Sequence, residues 1–291
     1  MLIDGKMLRE MDKDLPDGER AEWNAIYASC RSESILSGNV HGVDYHDFDM
    51  KNPDTGRINR KHIACLIVIK HRVKVVIPAP EVWFMPREET HLLRSMCGGT
   101  VDYVITHVDR ENGFAVASRK LALKKLRFAS RRRRPLGKTV DVQIIAVGKN
   151  VCTVHFNGYD VLLSQKDISY SIVRDLRTYL FPGDVKKAVV TEWNPSEGIV
   201  NLSIKETTRH PFEGIEVRHP IGCTRVATIV NKYNGGVFCR LFDGITDILC
   251  TYDTPNYDED FQIDDRVEIL VKKFNTEKRL AYGKILRKMY S

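Results

Sequence analysis

The residues with the clearest chemical leaning are basic and crowd together. Between Arg119 and Arg134 the chain carries Arg119, Lys120, Lys124, Lys125, Arg127, Arg131, Arg132, Arg133 and Arg134, nine positive charges in 16 residues with no carboxylate among them. The whole chain of 291 residues is only +7, so the remainder is slightly acidic and the excess basicity lies in one segment. Guanidinium and ammonium groups at this density suit a polyanion, because each can neutralise a phosphate and release its condensed counterion. The blander use of a charge run is a solvated helix face between domains. Leu121, Leu123, Leu126 and Phe128 interleave with the charges, so the segment is expected to begin as a helix and to end at Pro135, which cannot continue one.

Other chemistries are poorly represented. Gly137-Lys138-Thr139 matches the tail of a phosphate-binding loop, but the glycine required five positions earlier is Arg132. His41 and His46 are five apart on an expected strand, which puts them on opposite faces and disfavours a shared metal. No Ser, His and carboxylate set is readable, and Cys97-Gly98-Gly99 reads as a turn before a strand. The expectation is a protein that is not an enzyme, with no catalytic residue, no metal site and no cofactor.

The elements that would position the basic segment are short strands. After it, apolar and β-branched residues mark strands at Lys138–Ala146, Val151–Phe156, Asp160–Leu163, Asp184–Glu192 and Ile199–Ile204. Turn formers separate them: Gly148, Asn157-Gly158, Pro182-Gly183 and Asn194-Pro195. Between the third and fourth strands, Ile168, Ile172, Leu176 and Leu180 recur every four residues, which predicts a helix over Gln165–Leu180. Three strands, a helical insert and two strands is the layout of a small oligonucleotide/oligosaccharide-binding (OB) barrel.

The run Gly183-Asp184-Val185 before the fourth strand, with Val200-Asn201-Leu202-Ser203-Ile204-Lys205 at the fifth, resembles the RNA-binding domain repeated in ribosomal protein S-one. The pattern recurs downstream at Cys223–Asn231, Gly236–Phe242, Thr246–Thr251, Arg266–Phe274 and Leu280–Leu286, where Gly235-Gly236-Val237-Phe238-Cys239 and Asp264-Asp265-Arg266-Val267 stand at the family's words. A more divergent copy is read upstream at Gly38–Asp47, His62–Lys70, Val73–Pro78, Thr100–Val108 and Phe114–Ser118, with the polar stretch Met50–Arg60 as a loop. Repeats of this size mean an array of modules rather than a solenoid.

The resemblance implies binding of single strands by stacking bases on exposed aromatics and tracking phosphates with basic side chains. In the third copy Phe238 keeps the aromatic of the second strand. The other aromatic position is Gly235 with Tyr233 beside it, Cys250 replaces the family's His, and Asn275 and Arg279 keep the spacing of its Asp-x-x-x-Arg pair. The second copy carries Asn150, Thr153 and Ser164 at these places and keeps Asn194, but has Ile199 for the Arg; the first keeps Asp109 and has Pro78 for the His. Those departures leave scaffolding or protein binding as the alternative use of the first two copies. The candidate nucleic-acid-binding residues are therefore Phe238, Tyr233, Asn275, Arg279, Lys124, Lys125, Arg127, Arg131, Arg132, Arg133 and Arg134. Phe238 is either a stacking platform or barrel core.

Length and composition set the frame. The layout expected is an N-terminal helical segment over 1–34, a divergent barrel over 35–118, the basic connector helix over 119–135, a second barrel over 136–208, a linker over 209–220 and a third barrel over 221–291. The fold class is thus mainly β, three tandem five-stranded antiparallel OB barrels of S-one type. Asp17 is expected to cap a helix from Gly18 to Arg31 that packs on the first barrel. The acidic stretch Asp253–Asp265 would repel phosphate, so nucleic acid should approach another face. Seven cysteines without a Cys-x-x-Cys pair suggest reduced buried thiols. No apolar run is long enough to span a membrane, and Met1–Lys6 lacks a signal-peptide core, so a cytoplasmic protein of a bacterium or phage is expected. Its partner is expected to be single-stranded RNA, with single-stranded DNA of a mobile element, or ribosomal and transcription proteins bound by an adaptor, as alternatives.

Overall fold

The computed structural model describes residue 13 and residues 15–51, 58–70, 73–84, 90–233, 236–252 and 259–289. Strand is the commonest regular element among the described residues, which form three five-stranded sheets. The first joins β1 (Leu36–Lys51), β2 (Ile58–Lys70), β3 (Val73–Pro78), β4 (Thr100–Asp109) and β5 (Phe114–Ser118). The second joins β6 (Thr139–Val147), β7 (Val151–Phe156), β8 (Tyr159–Ser164), β9 (Val185–Asn194) and β10 (Ile199–Ser203). The third joins β11 (Thr224–Tyr233), β12 (Gly236–Leu241), β13 (Asp247–Thr251), β14 (Arg266–Asn275) and β15 (Leu280–Lys288). The first and third sheets close into barrels with strand order β1-β2-β3-β5-β4 and β11-β12-β13-β15-β14.

The closing pairs, β3 with β5 and β13 with β15, are parallel, which corrects the expectation of wholly antiparallel barrels. With five strands in this order the third and fifth run the same way when they meet. The second sheet does not close by a ladder: its order is β10-β9-β6-β7-β8. Strand β8 ends at Ser164, whose capping box with Asp167 turns the chain into a helix. The gap is bridged by the Ile204 N–H, which donates to the Asp167 carbonyl at 2.8 Å. Each sheet has its own apolar core, around Leu66, Val75 and Tyr103, around Ile144, Val154 and Leu176, and around Ile229, Cys239 and Ile269.

Helix α1 (Asp17–Ser32) buries Trp23, Ile26 and Tyr27 against the first barrel, and Ser29 Oγ accepts from the Ile105 N–H at 3.1 Å. Its N-cap is Pro16, not Asp17, which sits inside the first turn and pairs with Arg20. The expected loop Met50–Arg60 is narrower than read: β1 runs to Lys51 and β2 starts at Ile58, because cross-strand pairs such as Tyr45 stacked on His62 at 5.0 Å prolong the hairpin. Residues 52–57 of that stretch, residues 253–258 of the acidic loop, Gly235 and the residues Met1–Lys6 lie outside the described residues.

After the short helix α2 (Thr90–Arg94), Cys97-Gly98-Gly99 forms the turn into β4. This turn meets the second sheet so closely that a side chain does not fit: a Cβ on Gly99 would lie 2.9 Å from the Ile145 carbonyl, and one on Gly183, at φ +95°, 2.8 Å from the Gly98 carbonyl. The first core accordingly extends onto Ile145 and Ala146.

The helix expected over Gln165–Leu180 is reduced to α4 (Gln165–Ile168) and a single 3-10 turn over Leu176–Thr178, once α3 (Arg119–Ser130) is counted before it. Ile168, Leu176 and Leu180 are buried as their spacing suggests. The backbone between them is engaged elsewhere: the Ile172 N–H donates to Asp247 Oδ2 at 2.7 Å, and the Ile172 carbonyl accepts from Arg240 at 2.6 Å. Those groups would be consumed by a helix. The segment instead ties the second sheet to the third barrel, helped by Ser171 Oγ donating to the Ile245 carbonyl and by Arg174 paired with Asp264. A last short helix, α5 (Ile215–Arg218), lies in the linker. None of the described helices is long and apolar enough to cross a membrane.

Candidate nucleic-acid interface

Alternation along β12 decides how Phe238 is used. Val237, Cys239 and Leu241 point into the third barrel and are buried, so Phe238 and Arg240 point outward. Phe238 is therefore not part of the barrel core. The register continues its row: Phe238 pairs with Asn231 on β11 and Leu249 on β13, Leu249 with Tyr282 on β15, and Tyr282 with Lys273 on β14. Partners in register share a face, so the outer surface carries a belt with Phe238 and Tyr282 on it and a lysine at its end.

Tyr233 joins the belt from the end of β11. It is 44% exposed, and its ring lies 5.6 Å from that of Phe238. Gly236 makes room for it, since a Cβ there would come within 3.1 Å of the Tyr233 hydroxyl. Partial burial, then the neighbouring Tyr282, raises the Tyr233 hydroxyl pKa, so the ring stays neutral. Lys273 holds its ammonium 5.1 Å from the centre of the Tyr282 ring, a cation–π contact. Cys250, at the family's His position, points into the barrel, where a bond from Cys239 and burial push its thiol pKa up; it faces away from the belt.

Asn275 and Arg279 play a more local part. Asn275 Oδ1 accepts from the Lys278 N–H at 2.9 Å and shapes the β14–β15 turn, which leaves Arg279 at φ +49°. Arg279 is exposed and faces the junction with the second sheet: its charge lowers the pKa of His210, after burial, and acts on Tyr170. There the Tyr170 and His210 rings lie 4.3 Å apart, with Lys205 5.4 Å from the Tyr170 centroid.

The basic segment splits into two halves. Its first half, α3, is not a solvated connector. Ser118 Oγ caps it by accepting from the Leu121 N–H, and Arg119, Ala122 and Leu123 are buried. Arg119 donates two bonds to Asp160 at 2.6 and 2.7 Å and one to the Val82 carbonyl at 3.1 Å, with its guanidinium 5.3 Å from the Trp83 ring. Burial alone would push the Asp160 carboxyl up, but Arg119 and then His155 hold it below the usual carboxylate range. Arg127 donates to the Gly158 carbonyl at 2.8 Å and lies 4.0 Å from the Phe84 ring centre and 4.6 Å from that of Tyr159. Lys125 pairs with Glu33 at 2.9 Å. Arg127 and Lys125 are thus engaged within the fold, whereas Lys124 is exposed.

The second half leaves the helix at Ser130, five residues before Pro135. Arg131, Arg132, Arg133 and Arg134 are exposed. Arg133 donates to Asn157 Oδ1 at 3.1 Å and Arg131 lies 3.6 Å from the Phe128 ring centre. Arg131 and Arg134 also line a cavity of about 580 Å³ with Trp193, Pro195 and Ser196. Tyr282, Lys273 and Trp193 were not singled out in the sequence. Tyr282 was legible in principle, since it alternates with the inward Ala281 and Gly283, but its meeting with Phe238 depends on the parallel β13–β15 pair.

No family model matches the chain. A 4-hydroxy-3-methylbut-2-enyl diphosphate reductase of Clostridium tetani is 27% identical over 188 residues, 62% of this chain and 29% of that protein. Small ribosomal subunit protein bS1 of Rhodopseudomonas palustris is 25% identical over 178 residues, covering 58% of this chain and 31% of that one. The bS1 of Neisseria meningitidis is 22% identical over 270 residues, 89% of this chain and 44% of that one. The chain therefore spans less than half the length of these relatives. Among solved structures, a multidomain protein with nucleic acid binding domains from Streptococcus pneumoniae aligns over 89% of this chain and 75% of its own at 10% identity and a TM-score of 0.20.

Proposed function

We propose that the chain is a non-enzymatic, cytoplasmic RNA-binding protein built from tandem S-one-type OB modules, and that it takes single-stranded RNA on the outer belt of the third barrel. The observation that carries the reading is the convergence of Tyr233, Phe238 and Tyr282 on one barrel face with Lys273 beside them. Stacked aromatics hold bases with little regard to sequence, and the adjacent cation suits the backbone. Similarity to bS1 proteins supports the module type, and it makes the ribosome a candidate partner. Arg131 to Arg134 would contact phosphates.

Titrating labelled poly-pyrimidine RNA and DNA at two salt concentrations tests this. Phe238→Ala is expected to weaken RNA binding by roughly 1–3 kcal/mol while leaving the melting temperature nearly unchanged, because the ring is on the outside. Replacing Arg131 through Arg134 by Gln should flatten the salt slope by as much as about 2.8, at about 0.7 per phosphate contact. Equal affinity for DNA would move the assignment to single strands in general.

A second reading, an adaptor for proteins, draws on a different place. The second sheet and third barrel enclose a cleft of about 980 Å³ lined in part by Tyr179, Phe242 and Ile245, and Phe242 is 84% exposed. Absence of RNA binding at low salt would favour that reading.

A further inference from the structure

The cavity between the basic segment and the second sheet has a composition that the belt on the third barrel does not explain. It is lined by Arg131, Arg134, Trp193, Pro195 and Ser196. Trp193 lies near the end of β9, where its partner is Val200 on β10. Its indole is held from behind, edge-on to Phe156 at 6.0 Å and to Tyr159 at 5.5 Å. The indole N–H is shielded and has no acceptor among the described residues, so what the cavity can offer is ring surface rather than a hydrogen bond. Arg131 is steadied by the Phe128 ring. Neither Arg131 nor Arg134 has a carboxylate partner among the described residues, and Ser196 Oγ is turned onto Asn194 Oδ1 at 2.7 Å.

Two guanidiniums that meet no carboxylate among the described residues, Arg134 donating only to the Arg133 carbonyl at 3.2 Å, lie beside an aromatic surface and match a phosphate and a base in one unit. The volume of about 580 Å³ falls within the range of small-ligand sites, about 300–1,000 Å³. It suits a nucleotide, not a duplex. An acidic peptide would satisfy the arginines but has no use for the indole. We propose that this cavity is a second subsite for one nucleotide of a single strand, with Arg131 and Arg134 on the phosphate and Trp193 against the base. The subsite rests on the RNA-binding reading and gives the second sheet a part in it. Because contact is through a ring face, the subsite tolerates any base. Its effect on the whole chain is avidity: a strand held here and on the third-barrel belt gains from effective concentration.

The chain carries its own reporter. Of its three tryptophans, Trp23 and Trp83 are 1% and 6% exposed, and Trp193 alone is partly exposed. Titration of the full chain with an end-labelled oligo-uridine, followed both by label anisotropy and by tryptophan emission, is expected to show emission falling in step with anisotropy. Trp193→Phe should abolish the emission change while keeping a stacking face, and Trp193→Ala should abolish it and weaken binding about 5- to 150-fold. The exposed pair Arg131→Gln/Arg134→Gln should keep the emission reporter, shift its midpoint to higher RNA concentration and lower the salt slope by about 1.4. Anisotropy rising with unchanged emission would overturn the subsite while leaving the third-barrel reading intact. Quenching by uridine monophosphate at the same nucleotide concentration would make it a free-nucleotide pocket, and equal quenching by polyglutamate would make it a site for acidic protein. No anisotropy change at low salt would sink the RNA reading and the subsite with it.

Discussion

Arg119→Met removes the ion that joins the first barrel, the basic helix and the second sheet. The Arg119 side chain is 1% exposed and makes two short bonds to Asp160, itself 14% exposed. Methionine keeps much of the length and none of the charge. Among the described residues, Asp160 is then left with the His155 ring at 3.3 Å. Breaking a buried pair from one side costs about 3–5 kcal/mol, because the surviving charge has lost its water and its partner. At a urea dependence of about 2 kcal/mol per molar, the unfolding midpoint should fall by about 2 M.

The pH dependence should change sign as well. In the native chain the Asp160 pKa lies below its unfolded value, so its contribution is present above about pH 4 and is lost as pH falls below it. In the variant burial prevails and the folded pKa rises. Stability is then retained at low pH and lost as pH rises through the new value. Replacing both residues, Arg119→Met with Asp160→Leu, should restore most of the midpoint, since an apolar pair of similar volume is often neutral or better than a buried ion pair. Urea unfolding at pH 5 and pH 7, followed by tryptophan emission with Trp83 beside Arg119, is the assay. A loss below about 1 kcal/mol for the single variant, or a double variant no better than the single, would refute the reasoning.

Arg127→Ala should lower the melting temperature and leave the RNA salt slope unchanged, while Lys124→Ala should do the reverse, lowering the slope by about 0.7 if that ammonium meets a phosphate; the two measured together separate structural from binding charge within one helix. Tyr282→Ala is expected to weaken RNA binding by roughly 1–3 kcal/mol with little change in thermal stability, and a stability loss with unchanged affinity would remove it from the belt. Gly158 is at φ +87°, and a Cβ there would lie 2.5 Å from the Leu123 carbonyl, so Gly158→Ala should unseat α3 and cost more than about 1 kcal/mol by melting; an unchanged melt would contradict the close approach. Burial pushes the Asp243 carboxyl up, but bonds from Thr246, His219 and Ile245 hold it down to about 2. Its stabilising effect should therefore be full above about pH 4 and fade as pH falls toward 2, and Asp243→Asn should flatten acid unfolding of the third barrel over that window.

The strands were legible in the sequence because a half-buried strand must alternate or run apolar and its turns need particular residues. The breaks at Asn157-Gly158 and Pro182-Gly183 lie between observed strands, and Asn157, Gly158 and Gly183 all take positive φ. The continuous helix expected over Gln165–Leu180 does not form, because fourfold spacing of apolar residues records burial, not hydrogen bonding; Ile172 gives its backbone to Asp247 and Arg240, more than sixty residues away in the chain. The basic segment was legible as charge, but not as two halves. Whether an arginine is free depends on what lies across from it, and the Asp160, Gly158 and Tyr159 that engage Arg119 and Arg127 arrive only when the second sheet folds back onto α3. The same holds for the belt and the cavity. Phe238 was visible in its motif, yet Tyr282 reaches its row only through the parallel closing pair, and Trp193 meets Arg131 and Arg134 only because the β9–β10 turn comes back beside the end of the helix. Local pattern determined which residues form strands and where positive charge is concentrated. Proximity across strands and between sheets, which no local pattern encodes, decided which of those charges and rings remain available to a ligand.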